Sequence, residues 1–240
     1  MPLNKQNRIW ELDAFRGICI LGMVTIHLVY DLVEVSGLLK WEYSPPFSFI
    51  MNWGGVLFLV LSGICATLGS GRPKRGLLVL GCGILVTAVT AGMYRLGLAD
   101  SSMVIRFGVL HCLGISMLAW LLLKRLPNGV LVPLAAAIII AGLAIQNLRV
   151  ETPWLFWLGF VTTGFSSADF FPLMPFLGFF LLGAALGRRL YAAKTSRFPN
   201  ADPRHPLLRF LTALGRWSLP IYLGHQPVIF LLTGLLSRLF

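Results

Sequence analysis

Residues 12–32 read LDAFRGICILGMVTIHLVYDL, an apolar run whose ionic and imidazole members are Asp13, Arg16, His27 and Asp31. Its length is that of a helix crossing a bilayer core about 30 Å thick. An Arg or Asp at the centre of such a helix costs about 2.5–3.5 kcal/mol on insertion scales, so these groups face protein or water and mark function. At about 100° per residue, Arg16 and His27 fall on one face after nearly three turns, and Asp13 and Asp31 share their arc of roughly 60°. Phe15, Leu21 and Gly22 occupy the other sides. At 1.5 Å per residue Arg16 stands about 16 Å along the axis from His27, so the polar stripe crosses much of the membrane.

The rest of the chain agrees with that helix. Its 240 residues are 57% hydrophobic and 12% charged, too apolar for a water-soluble domain and fitting a single polytopic membrane domain over 1–240. The net charge of +11 would suggest nucleic acid in a soluble protein, but the basic residues sit in short loops between apolar runs, a pattern that belongs to topology. No nucleic-acid partner is expected. Cys19, Cys65, Cys82 and Cys112 lie inside apolar runs without a CxxC spacing, which excludes a disulfide framework and a zinc site and makes them packing residues. The polar opening MPLNKQNRIWE leads into a full-length helix, so no cleavable signal peptide is expected.

Seven spans can be drawn, at 12–33, 48–69, 76–97, 103–123, 129–147, 170–190 and 217–238, giving an all-α transmembrane bundle. Between the fifth and sixth, RVETPWLFWLGFVTTGFSSAD is aromatic-rich and broken by Gly, Ser, Thr and Pro, as a re-entrant or interfacial lid would be. Lys5, Arg8, Arg72, Lys74, Arg75, Lys124, Arg125 and seven basic residues from Arg188 to Arg216 fall on one side, which is therefore cytoplasmic, with the amino terminus inside. The linker AAKTSRFPNADPRHP reads as a solvated cytoplasmic loop in which His205 has no role.

His27 is the foremost candidate for chemistry: a neutral imidazole can take a proton from an attacking hydroxyl or amine, and Asp31, one turn on, is placed to fix its tautomer. The alternative is a hydrogen-bonded histidine holding helices together. Arg16 binds an anionic ligand from the cytoplasm or is neutralised by Asp13 at i−3. Arg72, Lys74 and Arg75 in GSGRPKRG suit phosphates and equally suit a positive-inside loop. In RFGVLHCLG, Arg106 and His111 reach the depth of His27 but point about 140° apart on a helix, so one of the two is expected to be functional. In RWSLPIYLGHQPVIFLL, Ser218, Tyr222 and His225 form a second polar stripe, read either as a cavity wall or as an interhelical seam. No lysine lies within a span to form a retinal Schiff base, and neither an intramembrane serine protease motif nor HExxH occurs.

LDAFRG followed by MVTIHLVYDL resembles the opening helix of membrane acetyltransferases related to heparan-α-glucosaminide N-acetyltransferase, especially their short bacterial relatives. RFGVLHCLGI is similar to that family's R-x-G-V-L-x-x-L-G segment, DFFPLMPFLGFFLLGAALG to its penultimate helix and LGRWSLPIYLGHQPV to its closing motif. Arg16 to His27 also resembles the R-x10-H of type 3 membrane acyltransferases, and Arg72 to Arg75 their R-x-x-R. Both resemblances imply transfer of an acyl group, usually acetyl, from cytosolic acyl-coenzyme A to an acceptor across the membrane. One departure stands out. The heparan-modifying enzyme holds an amide residue at the position of His27 and its essential histidine in the following outer loop, whereas SGLLKWEYSPPFS here has no histidine.

The expected mechanism places the phosphates of acetyl-CoA near Arg16, Arg72, Lys74 and Arg75 and the pantetheine arm along the stripe. His27, oriented by Asp31, serves as base or acyl carrier, Arg106 or His111 stabilises the oxyanion, and Tyr222 and His225 line the acceptor cavity. The expected partners are the lipid bilayer, acyl-CoA and an extracytoplasmic glycan or amine, with a homodimer left open, in a bacterial inner membrane. Two other classes stay open: a b-type cytochrome with two of His27, His111 and His225 on haem, and a transporter of an anionic solute.

Overall fold

The computed structural model describes residues 9–69, 71–199 and 205–237. Among them the protein is all-helical, with two isolated bridges, Phe107 to Phe170 and Arg149 to Val161, in place of any sheet. Eight helices follow in order: α1 (Trp10–Tyr30), continued by a π-helical turn (Asp31–Val35), α2 (Pro45–Leu68), α3 (Pro73–Arg95), α4 (Val109–Leu123), α5 (Asn128–Ile145), α6 (Leu173–Leu190), α7 (Pro206–Arg216) and α8 (Ser218–Leu236). Six of them, α1 with its π turn, α2, α3, α5, α6 and α8, are long and apolar enough to cross a membrane. The chain is a polytopic helical membrane protein.

The fourth expected span, 103–123, is shorter than the sequence suggests. Ser101–Met103 form a 3-10 turn, the backbone is extended at Gly108, and α4 has only 15 residues. Many exposed helical positions are aliphatic: Leu122 is 80%, Ile140 67% and Leu231 64% exposed. Water would reject such a surface, whereas hydrocarbon accepts it.

The chain forms two compact units, residues 1–58 with 193–240, and residues 59–192. In the first, α7 packs on the amino-terminal half of α1 through glycines. A Cβ at Gly17 would overlap the Leu211 carbonyl, and one at Gly215 the Asp13 carbonyl, so only hydrogen at both positions lets the backbones approach this closely. On the other side of α7, Leu207 and Phe210 are exposed. The stretch before α7, expected as a free loop, is anchored over its described part. Glu11 accepts from the Ser196 hydroxyl at 2.9 Å and the Arg197 amide at 2.8 Å, and Trp10 meets Phe198. Residues 200–204 and the expected cytoplasmic charges Lys5, Arg8 and Arg204 lie outside the described residues.

In the second unit α3 pairs with α4, α5 with α6, and the end of α2 with α6, again where a glycine, Gly63, meets the Phe180 carbonyl. Arg188, one of the basic residues expected on the cytoplasmic side, closes α4. Its guanidinium donates to the carbonyls of Lys124 and Leu126 and lies 4.8 Å from the Trp120 ring centre. It thereby satisfies carbonyls that a helix end leaves unpaired.

Candidate active site

In the first unit the polar stripe of α1 faces protein at its far end. His27 is half-buried, while Phe15 and Leu21, assigned by helical geometry to the other sides, are 41% and 47% exposed. Its Nδ1 lies 2.7 Å from Nε2 of His225 on α8 and 3.1 Å from the Met23 sulfur one turn below. The two imidazoles meet edge to edge, with centroids 4.8 Å apart and planes 18° from parallel. Nδ1 of His225 meets the Tyr222 carbonyl oxygen at 2.6 Å, and the Tyr222 ring stands 5.6 Å from the His225 ring. Three expected site residues therefore stand together: His27, Tyr222 and His225.

Asp31 is placed differently from the sequence expectation. The Asp31 amide keeps the helical bond to the His27 carbonyl, the π turn runs on from there, and Asp31 Oδ2 accepts from the Gln226 amide of α8 at 2.9 Å. The carboxyl is 1% exposed. His225, not Asp31, is the hydrogen-bond partner of His27. A one-turn spacing puts both side chains on one face of α1 without making them partners of each other, and α8 supplies a partner to each.

At the other end of α1, Arg16 Nη1 and Asp13 Oδ1 pair at 3.1 Å, and Asp13 Oδ2 lies 3.6 Å from Nε of Arg216 at the end of α7. Of the two readings open for Arg16, the structure contains the ion pair at i−3. One carboxylate shared by two guanidiniums leaves this corner of the unit net positive.

In the second unit Arg106 and His111 belong to a lock between α4 and the 160–171 segment. Asp169 Oδ2 accepts from the Val109 amide at 3.0 Å and so caps α4. The Arg106 amide donates to the Ser167 hydroxyl, its Nε to the Ser166 carbonyl, and its guanidinium lies 5.8 Å from the Phe165 ring centre. A Cβ at Gly108 would overlap the Asp169 carboxylate, which accounts for the glycine of RFGVLH. His111 Nδ1 accepts from the Gly108 amide at 3.2 Å, and its Nε2 faces the Thr87 hydroxyl at 3.4 Å. Both of its nitrogens are engaged within the fold. Since Arg106 precedes α4, the expected 140° separation on one helix does not apply.

The basic turn is exposed. Arg72 is the residue before α3, Pro73 opens the helix, and Lys74 and Arg75 follow in its first turn, where unpaired amides and the helix dipole add to the positive field. Sequence spacing missed Lys124, whose ammonium lies against Gly71, so near that a Cβ there would stand 2.8 Å from Nζ. Spacing likewise missed Gln226 and Asp169, each about 60 residues or more from its partner. Nothing local marks such pairs.

A bis-histidine haem does not fit the closed pair. Iron held between two axial nitrogens at bond lengths near 2 Å needs them roughly 4 Å apart with the rings to either side. His27 and His225 meet edge to edge at hydrogen-bond distance, and His111 spends both nitrogens on Gly108 and Thr87. No curated protein and no solved structure matches the chain. The family model described as heparan-alpha-glucosaminide N-acetyltransferase, catalytic, matches residues 8–227, almost the whole chain, and the protein belongs to that family.

Proposed function

We propose that this member of a membrane acetyltransferase family moves an acetyl group from cytosolic acetyl-CoA to a hydroxyl or amine on the extracytoplasmic side of a bacterial inner membrane, with His27 as the base. The observation that carries this is the His27–His225 pair, two imidazoles in contact between two candidate membrane-spanning helices, one of which also bears Arg16 three turns away. A membrane seam needs no second imidazole where a Ser or Asn would serve, whereas proton transfer needs an imidazole with a free nitrogen.

In the proposed reaction the acceptor X–H gives its proton to His27 while X attacks the thioester carbonyl carbon. The C–S bond then breaks, and the leaving thiolate takes the proton back to become coenzyme A. An acetyl-histidine intermediate on His27 is the stepwise variant. Arg16 and the turn of Arg72, Lys74 and Arg75 are two separate candidates for reading the donor's phosphates. Asp31 with Gln226 supports the turn that follows His27.

The test uses purified protein in nanodiscs with acetyl-CoA and a panel of amino sugars and sugar alcohols, following thiol release and acetylated product. His27→Ala is expected to retain acetyl-CoA binding and to lose about 10²–10⁴-fold in turnover, the usual worth of a general base. Full turnover by His27→Ala ends the base assignment. Uptake of an anionic solute into liposomes without acetyl-CoA consumption would favour a transporter instead.

A further inference from the structure

We infer that His225 is a positioning residue that fixes the tautomer of His27, holding its proton on Nδ1 and leaving Nε2 as the open nitrogen. The direction of the chain of hydrogen bonds follows from its two ends. The Tyr222 carbonyl can only accept, so His225 Nδ1, 2.6 Å away, carries its N–H. A neutral imidazole has one N–H, so His225 Nε2 holds a lone pair, and His27 Nδ1 at 2.7 Å must donate to it. Met23 gives the same answer independently: its thioether sulfur, 3.1 Å from His27 Nδ1, is an acceptor only. Among the described residues no group hydrogen-bonds His27 Nε2.

His225 thus does from α8 what a carboxylate does in many catalytic histidine pairs, where the partner of one ring nitrogen decides which proton the other can take. The two rings lie edge to edge and nearly in one plane, the arrangement in which the N–H of one points straight at the in-plane lone pair of the other. When Nε2 takes the acceptor's proton, the cationic ring keeps its Nδ1–H pointed at the His225 lone pair. The ring is therefore already turned to return that proton to the departing thiolate. What the open nitrogen does rests on the acyl-transfer reading above; which nitrogen is open does not.

The experiment is nitrogen-15 NMR of histidine-labelled protein in nanodiscs near neutral pH, with the four histidines assigned by single substitution, run beside steady-state kinetics. His27 is expected as the Nδ1–H tautomer. His225→Phe keeps an aromatic ring and removes the acceptor: the His27 signal should move toward a tautomer mixture, and kcat should fall about 10²-fold with the KM for acetyl-CoA within about twofold. His225→Gln restores an acceptor oxygen and should recover most of that loss. A wild-type His27 protonated on Nε2, or His225→Phe with unchanged tautomer and kcat, overturns the inference. The wild-type spectrum decides even if the variant fails to fold. Expected tautomers in a protein that transfers no acetyl would uphold the positioning role and reject the function proposed above.

Discussion

The side-chain amide of Gln226 donates to Oδ2 of Asp31 across 2.9 Å, joining α8 to the π turn that ends α1. With Asp31 1% exposed, the amide stands in for water. Gln226→Leu should lower stability by about 1–3 kcal/mol, the cost of stripping a buried polar group of its partner. Asp31→Leu with Gln226→Leu should recover most of it, as replacing both partners usually does. Thermal unfolding in detergent, read as a double-mutant cycle, checks the coupling.

Gly17 and Gly215 let α7 lie against α1. Gly17→Leu should force the helices apart and lower the unfolding temperature markedly, because its side chain would enter the Leu211 carbonyl. Gly22→Ala on the same helix, with nothing within 4 Å of a new Cβ, should change stability by no more than about 0.5 kcal/mol. Equal effects at the two sites would show that α7 does not pack there.

His111 and Asp169 hold the start of α4, and their loss should appear in stability. Asp169→Ala should cost about 0.5–2 kcal/mol as a lost helix cap. His111→Ala should unfold at lower temperature while turnover per folded molecule stays within about twofold. A stable, inactive His111→Ala would return that histidine to the reaction.

Charge around the start of α3 is exposed, so its effect on ligand binding should depend on salt. Replacing Arg72, Lys74 and Arg75 together by Ala should weaken acetyl-CoA binding about tenfold or more at 0.01 M salt. The difference should shrink near 1 M, where screening acts within about 3 Å. Calorimetry across a salt series measures this, with Arg16→Ala and Lys124→Ala assayed separately. Unchanged affinity in the triple variant would leave the turn a topological signal only.

The membrane class, the six long apolar helices and the polar stripe of α1 were legible in the amino-acid order because hydrophobicity and helical periodicity are local properties, summed over about 20 neighbouring residues, whereas the short α7 was not expected. The same logic brought forward His27 from α1 and Tyr222 and His225 from α8 as candidates. Tertiary packing decided their partners. His27 meets His225, and Asp31 meets Gln226, because α8 lies alongside α1, 198 and 195 residues away in sequence. His111 and Arg106 became parts of a helix cap because Asp169, 60 residues beyond Val109, folds back onto that amide. Side-chain hydrogen bonds span only a few ångströms and are indifferent to chain separation, so spacing within one segment cannot reveal them.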